Sequence, residues 1–183
     1  MRGWFFLNWL KCEGYENIQG VDISSEALDI CRKHVTESVF QADVMTFLKD
    51  CVAKKEKFSC VYALDTIEHF SKQDVAEIFK MVYQLLDVNG FFVVKVGNMA
   101  AITGHELAAK DFTHHTFFTE KTLEYLSRLS GFKMARVYGV KPILLKSKIL
   151  YFFDRVMHQL VYRLSRSEVP NVTDRKLIAV LSV

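Results

Sequence analysis

The stretch Phe58–Leu64 (FSCVYAL), followed at once by Asp65-Thr66-Ile67-Glu68-His69-Phe70, decides how the rest of the sequence is read. An uncharged run of seven residues, rich in apolar and aromatic side chains, predicts a strand. Its continuity is that of a parallel strand buried on both faces. It stops on a carboxylate, and a Glu-His pair follows three residues later.

The same pattern repeats outward in both directions. Upstream, residues 17–21 (NIQGV) and 38–42 read as two shorter strands that end at Asp22 and Asp43. Ser24 or Ser25 can cap a helix whose Leu28, Cys31 and Val35 share one face. Residues 4–11 read as a helix stopped near Gly14. Downstream, Ser71 and Asp74 suit a helix start, and Val75, Ile78, Phe79, Val82, Leu85 and Leu86 make an apolar stripe. Asn89-Gly90 is expected to break that helix before residues 91–96 (FFVVKV) return as a strand. Residues 119–130 read as a helix ended by Gly131, and 133–140 and 177–183 as two further strands. Short strands alternating with helical stretches predict an α/β fold, a largely parallel sheet wrapped by helices. A helix precedes the first strand, which is unusual for an open sheet of this kind. The expectation is a chain that has lost a leading strand, with two sheet edges left exposed.

With 183 residues, half of them hydrophobic, the chain can bury one sizeable core. It shows no repeat or Pro/Gly-rich linker, so a single domain over 1–183 is expected. A net charge of +3 is too small to argue for a nucleic-acid partner. Cys12, Cys31, Cys51 and Cys60 form no CxxC pair and read as free thiols in a reducing, cytoplasmic setting. The apolar start MRGWFFLNWLKCEGY is too short to span a bilayer. The least expected element is 141–166, a basic amphipathic insertion before the last strand.

In open parallel sheets the ligand lies beyond the carboxyl ends of the strands. Asp22-Ile23-Ser24, Asp43-Val44, Asp65 to His69 and Gly97-Asn98 therefore come into view. An ionised Asp only accepts hydrogen bonds, so it suits a ligand that offers hydroxyls or an exocyclic amine. Asp22 is placed for a ribose diol and Asp43 for an adenine amine, with Ile23 and Val44 against the ring. The alternative is that both aspartates only cap helices or turns.

GYENIQGVDISSEALDICR (14–32), QADV (41–44), FSCVYALDTIEHF (58–70), LLDVNGFFVVKVGN (85–98) and DFTHHTFFTEKTLEYLSRLSGF (111–132) together resemble the class I S-adenosylmethionine (SAM)-dependent methyltransferases. The resemblance implies a Rossmann-like three-layer fold, here N-terminally truncated, with SAM as cofactor. Asn89 stands where the family usually has proline, and of the family's glycine-rich loop only Arg2-Gly3 remains. Weak or absent SAM binding by this chain is the corresponding expectation. The implied cofactor contacts are Gly3, Asp22, Ile23, Ser24, Asp43, Val44, Leu64 and Asp65. The implied catalytic candidates are His69, His114 and His115, one of which would serve as base toward a hydroxyl acceptor. His34, His105 and His158 carry no such argument.

No metal is expected. However, Asp65, Glu68 and His69 with His114 or His115 resemble the metal-ligand set of the RNA 2′-O-methyltransferases that modify small-RNA ends. The implied acceptor is a small molecule, with a sugar or polysaccharide hydroxyl as the leaning. The alternatives are a truncated, inactive chain or a dinucleotide dehydrogenase, which fits less well. Residues 142–166 read as a lid helix over the substrate, or as an interfacial helix in peripheral contact with an anionic membrane.

Overall fold

The computed structural model describes residues 3–141 and 145–183; Met1, Arg2 and residues 142–144 lie outside them. The chain falls into two compact units, Met1–Glu56 and Lys57–Val183. Among the described residues the strands form two sheets, one of two strands and one of four.

The first unit runs α1 (Gly3–Cys12), β1 (Gly20–Asp22), α2 (Ser25–His34), β2 (Val39–Gln41) and α3 (Val44–Lys54). Strands β1 and β2 pair in parallel, Val21 against Phe40, so Asp22 and Asp43 leave the sheet at the same end. Ser24 caps α2 by accepting from the Ala27 amide. The core is Leu10, Ile18, Leu28, Cys31, Val35 and Val39, with Trp4, Phe6 and Leu7 packed against it. Burial of each such side chain contributes about 1.5–3 kcal/mol.

The second unit contains β3 (Phe58–Leu64), α4 (Lys72–Leu85), β4 (Leu86–Gly97), α5 (Gly104–Ala109), α6 (Glu120–Ser130), β5 (Met134–Gly139), α7 (Leu145–Leu164) and β6 (Lys176–Ser182). The strand order is β3-β4-β6-β5, with β3 parallel to β4 and β6 antiparallel to both neighbours. One face is built from the cross-strand pairs Phe92–Leu181, Val94–Ala179 and Val96–Leu177, all fully buried. Phe79 of α4 meets Phe92 edge-on with ring centroids 5.2 Å apart, and Leu123 of α6 is fully buried. Thr119 and Thr122 form a reciprocal cap at the start of α6, and Gly131 ends it at φ 100.

Two sequence expectations change here. Strand β3 is not buried on both faces: it is an edge strand of its sheet, and Ser59 and Tyr62 are exposed. Asn89-Gly90 does not end α4. The helix stops at Leu85, where Lys57 Nζ bonds the carbonyls of Gln84 and Leu86, and Asn89-Gly90 sits in an irregular stretch of β4.

Helix α7 lies the opposite way round from the lid expectation. Its inward stripe is Tyr151, Asp154, His158 and Tyr162, spaced three to four residues apart. Tyr151 Oη donates to Asp174, and Tyr162 Oη donates to the Ala100 carbonyl at 2.8 Å. The buried His158 accepts the Ile102 amide at Nε2, so its Nδ1 carries the proton and donates to the Asp154 carbonyl. From Leu150 onward its aliphatic and phenylalanine side chains face solvent.

Candidate functional site

Asp22 ends β1, and Ile23, Asp43 and Asp65 fall in the turns that follow β1, β2 and β3. In the first unit, Asp22 Oδ1 accepts the Ser24 amide at 2.9 Å. Asp43 caps α3 by accepting the Thr46 amide at 3.1 Å. Both aspartates thus perform the local capping task. Each is exposed, and among the described residues neither engages its second oxygen, which can still accept from a ligand. Ile23 between them is 76% exposed, an apolar side chain open to a flat partner. Val44 is half-buried at the first turn of α3, and Gln41 Nε2 reaches the Ile23 carbonyl. Gly3 opens α1.

In the second unit, Leu64 closes β3 and Asp65 follows with φ 51 in the left-handed region. Lys95 of β4 and Lys176 of β6 hold its two oxygens at 2.8 and 2.6 Å. Burial raises the Asp65 pKa, but the hydrogen bonds and charges of the two lysines outweigh it and hold the carboxyl below its ordinary value. Both acceptor faces of Asp65 are occupied by protein. Asn98, another strand-end residue, is fully buried and bonds the carbonyls of Val172 and Asp174 and the Ala100 amide. It ties two loops together.

The loop Asp111 to Thr119 is clamped onto the turn at 67–69. The amides of His115 and Thr116 both bond the Glu68 carbonyl, and Thr116 Oγ1 bonds the Phe70 carbonyl. This brings His114 beside His69, ring centroids 4.8 Å apart and edge-on. The ring of His115 is exposed and lies outside the cluster that these residues form.

Hydrogen bonds fix the protonation of His69. Thr113 Oγ1 donates to Asp111 Oδ1 at 2.6 Å, since a carboxylate can only accept. The Thr113 oxygen is then the acceptor of its contact with His69 Nδ1 at 2.8 Å. The neutral ring therefore carries its proton on Nδ1 and its lone pair on Nε2. The hydroxyl and amide of Thr113 hold the Asp111 carboxyl below its ordinary value, which keeps it ionised as the end of this relay.

Glu68 is only 6% exposed, and its Oε2 has no partner among the described residues. Burial pushes its carboxyl up, and Asp65 adds to the effect. With His114, Thr116 and Gly97 it lines a cavity of about 20 Å³, room for one water-sized group. The residues that converge at metal-like spacing are His69, Asp111 and His114, with ligand atoms within 4.8 Å of one another. This is not the set foreseen from sequence, because Asp65 is engaged by its lysines. Thr113 and Asp111 were visible only as parts of a motif. Lys95 and Lys176 had no signal, because nothing along the chain marks them as partners of Asp65.

The family profile described as "Methyltransferase domain" matches residues 2–137. The chain belongs to this methyltransferase-domain family. S-adenosylmethionine is the cofactor of the family, and the residues that follow β1 and β2 have chemistry that fits its nucleoside: two exposed acceptor carboxylates, Asp22 and Asp43, and the open apolar side chain of Ile23 next to Asp22. This methyltransferase domain is 28% identical over 133 residues to a ubiquinone biosynthesis O-methyltransferase of Actinobacillus pleuropneumoniae serotype 7. The match covers 66% of this chain and 56% of that protein, so the chain spans little more than half the length of that relative. Its fold is similar to that of a SAM-dependent methyltransferase from Archaeoglobus fulgidus, with TM-score 0.75 and 18% identity over 97% of this chain and 80% of that one. It is also similar to a SAM-dependent methyltransferase from Mesorhizobium loti, with TM-score 0.66 and 20% identity over all of this chain and 88% of that one.

Proposed function

We propose that this methyltransferase domain transfers a methyl group from SAM to a hydroxyl of a small-molecule acceptor, with His69 as the base. The observation that carries the reading is the Asp111–Thr113–His69 relay, which leaves the Nε2 lone pair of His69 free to take a proton. SAM, when bound, supplies an electrophilic methyl group on a sulfonium. Asp22 would accept from the ribose hydroxyls, Asp43 from the adenine amine, and Ile23 and Val44 would flank the ring. His69 Nε2 would take the acceptor proton as the acceptor oxygen bonds the methyl carbon and the carbon–sulfur bond breaks to release S-adenosylhomocysteine, and Asp111, acting through Thr113, would favour the imidazolium that results.

Hydroxyl chemistry is supported by the O-methyltransferase relative, whose name places it in quinone biosynthesis. Phenolic rings are accordingly the first acceptors to try, and sugar hydroxyls the second. The reading includes a cytoplasmic setting, supported by four free cysteines, of which Cys31 and Cys51 are buried. Transfer from methyl-labelled SAM to panels of catechols and sugar nucleotides tests the reading. Turnover on one panel is expected, falling about 10²–10⁴-fold in His69→Ala with SAM affinity nearly unchanged. SAM affinity that collapses with the rate would make His69 structural.

The His69–Asp111–His114 spacing favours one second reading, a cation-assisted transfer. Turnover that survives chelation supports the base. Turnover lost to a chelator and restored by a divalent cation would reassign the cluster.

A further inference from the structure

We infer that α7 is a docking surface for an anionic lipid membrane. The helix meets its own unit through a narrow polar stripe, Tyr151, Asp154, His158 and Tyr162. Leu150, Phe152, Phe153, Val156, Met157, Leu160, Val161 and Leu164 are all exposed, several by more than half. A helical face of this composition left in water is unfavourable, and such contiguous apolar patches mark interaction sites.

Charge selects the occupant. At 100° per residue, Lys148, Arg155 and Arg163 fall along one flank of the apolar arc and all are exposed, with Arg166 just beyond the helix. The one acid within α7, Asp154, lies on the inward stripe, its carboxylate 3.3 Å from His158. A second copy of this face would set like charges together, whereas an anionic surface would neutralise them. Among the described residues no helix is long and apolar enough to cross a membrane, so α7 would lie in the interface plane along about 30 Å of its length. The inference is independent of the acceptor, although a membrane-held acceptor would then be within reach.

Vesicle sedimentation of the full chain tests it, using phosphatidylcholine vesicles with and without phosphatidylglycerol. Binding is expected only to the phosphatidylglycerol vesicles and should weaken as salt shortens the screening length. Replacing Lys148, Arg155 and Arg163 by Gln should reduce it about 100-fold, at about a fivefold loss per basic residue. The double variant Phe153→Ser/Leu160→Ser should reduce it at least about tenfold while leaving the circular dichroism spectrum unchanged, because neither side chain packs inward. No binding to either vesicle, or binding that both variants leave intact, would overturn the inference. A dimer in sedimentation velocity that dissociates in Phe153→Ser/Leu160→Ser would also overturn it, by assigning the face to a second copy.

Discussion

Helices α4 and α7 belong to the same unit and both carry an apolar stripe at helical spacing, yet they use it in opposite ways. In α4 the stripe Val75, Ile78, Phe79, Val82 and Leu85 is buried, and Phe79 stacks edge-on against Phe92 and Phe132. In α7 the aliphatic and phenylalanine side chains from Leu150 onward stay in solvent, and a histidine and two tyrosines make the contacts. Amphipathicity says that a helix has two faces. It does not say which one the fold takes. What distinguishes α7 is its other face, which carries donors and acceptors matched to the Ala100 carbonyl, the Ile102 amide and Asp174.

The comparison breaks most readily at its buried end. Phe79→Ala should cost about 3–5 kcal/mol in denaturant unfolding, the range for emptying a packed aromatic site. A loss below about 1 kcal/mol would mean that the stripe of α4 is not the core. His158→Ala tests the polar docking of α7 and should cost about 1–3 kcal/mol, since it empties a buried site and strands the half-buried Ile102 amide. An unaffected midpoint would mean that α7 is not seated through this residue.

A smaller effect, present near neutrality and lost in acid, belongs to neither helix. The Asp65 carboxyl is held below its unfolded-state value by Lys176 and Lys95, so its contribution is present above the unfolded carboxylate pKa. That contribution is lost as pH falls through the folded pKa. Asp65→Asn should therefore be less stable than the parent near neutrality and converge with it in acid. A constant difference across that range would contradict the ion cluster. The smallest effect lies on the outer face of α7, where Phe153→Ser should change stability by no more than about 0.5 kcal/mol.

Much of this was legible in the sequence because it is local. Strand β3 has the bounds read from its composition, and the Ser24, Ser71 and Thr119 caps depend only on neighbours three residues on. Helices α3 and α5 were passed over. Asp43 has both readings in the sequence, ligand contact and cap, and the structure shows the cap, on helix α3. The six residues of α5 are too few for a period to show. The strand-end aspartates of the site were visible for the same local reason. The relay was not, since His69 and Thr113 lie 44 residues apart and meet only because the loop amides bond the Glu68 carbonyl. Lys176, which is 111 residues from Asp65, is a still more distant partner.

The central claim, that the residues following β1 and β2 hold the nucleoside of SAM, is tested most directly by titrating SAM into the chain and into its Asp22→Ala variant. Calorimetry serves if binding is tight, and ligand-observed NMR if it is weak. The account predicts saturable binding by the parent and a loss of about 1.5–3 kcal/mol in the variant, roughly 10- to 150-fold, the range for hydrogen bonds to a charged group. Equal affinity in the two proteins, or no binding by the parent, would contradict it.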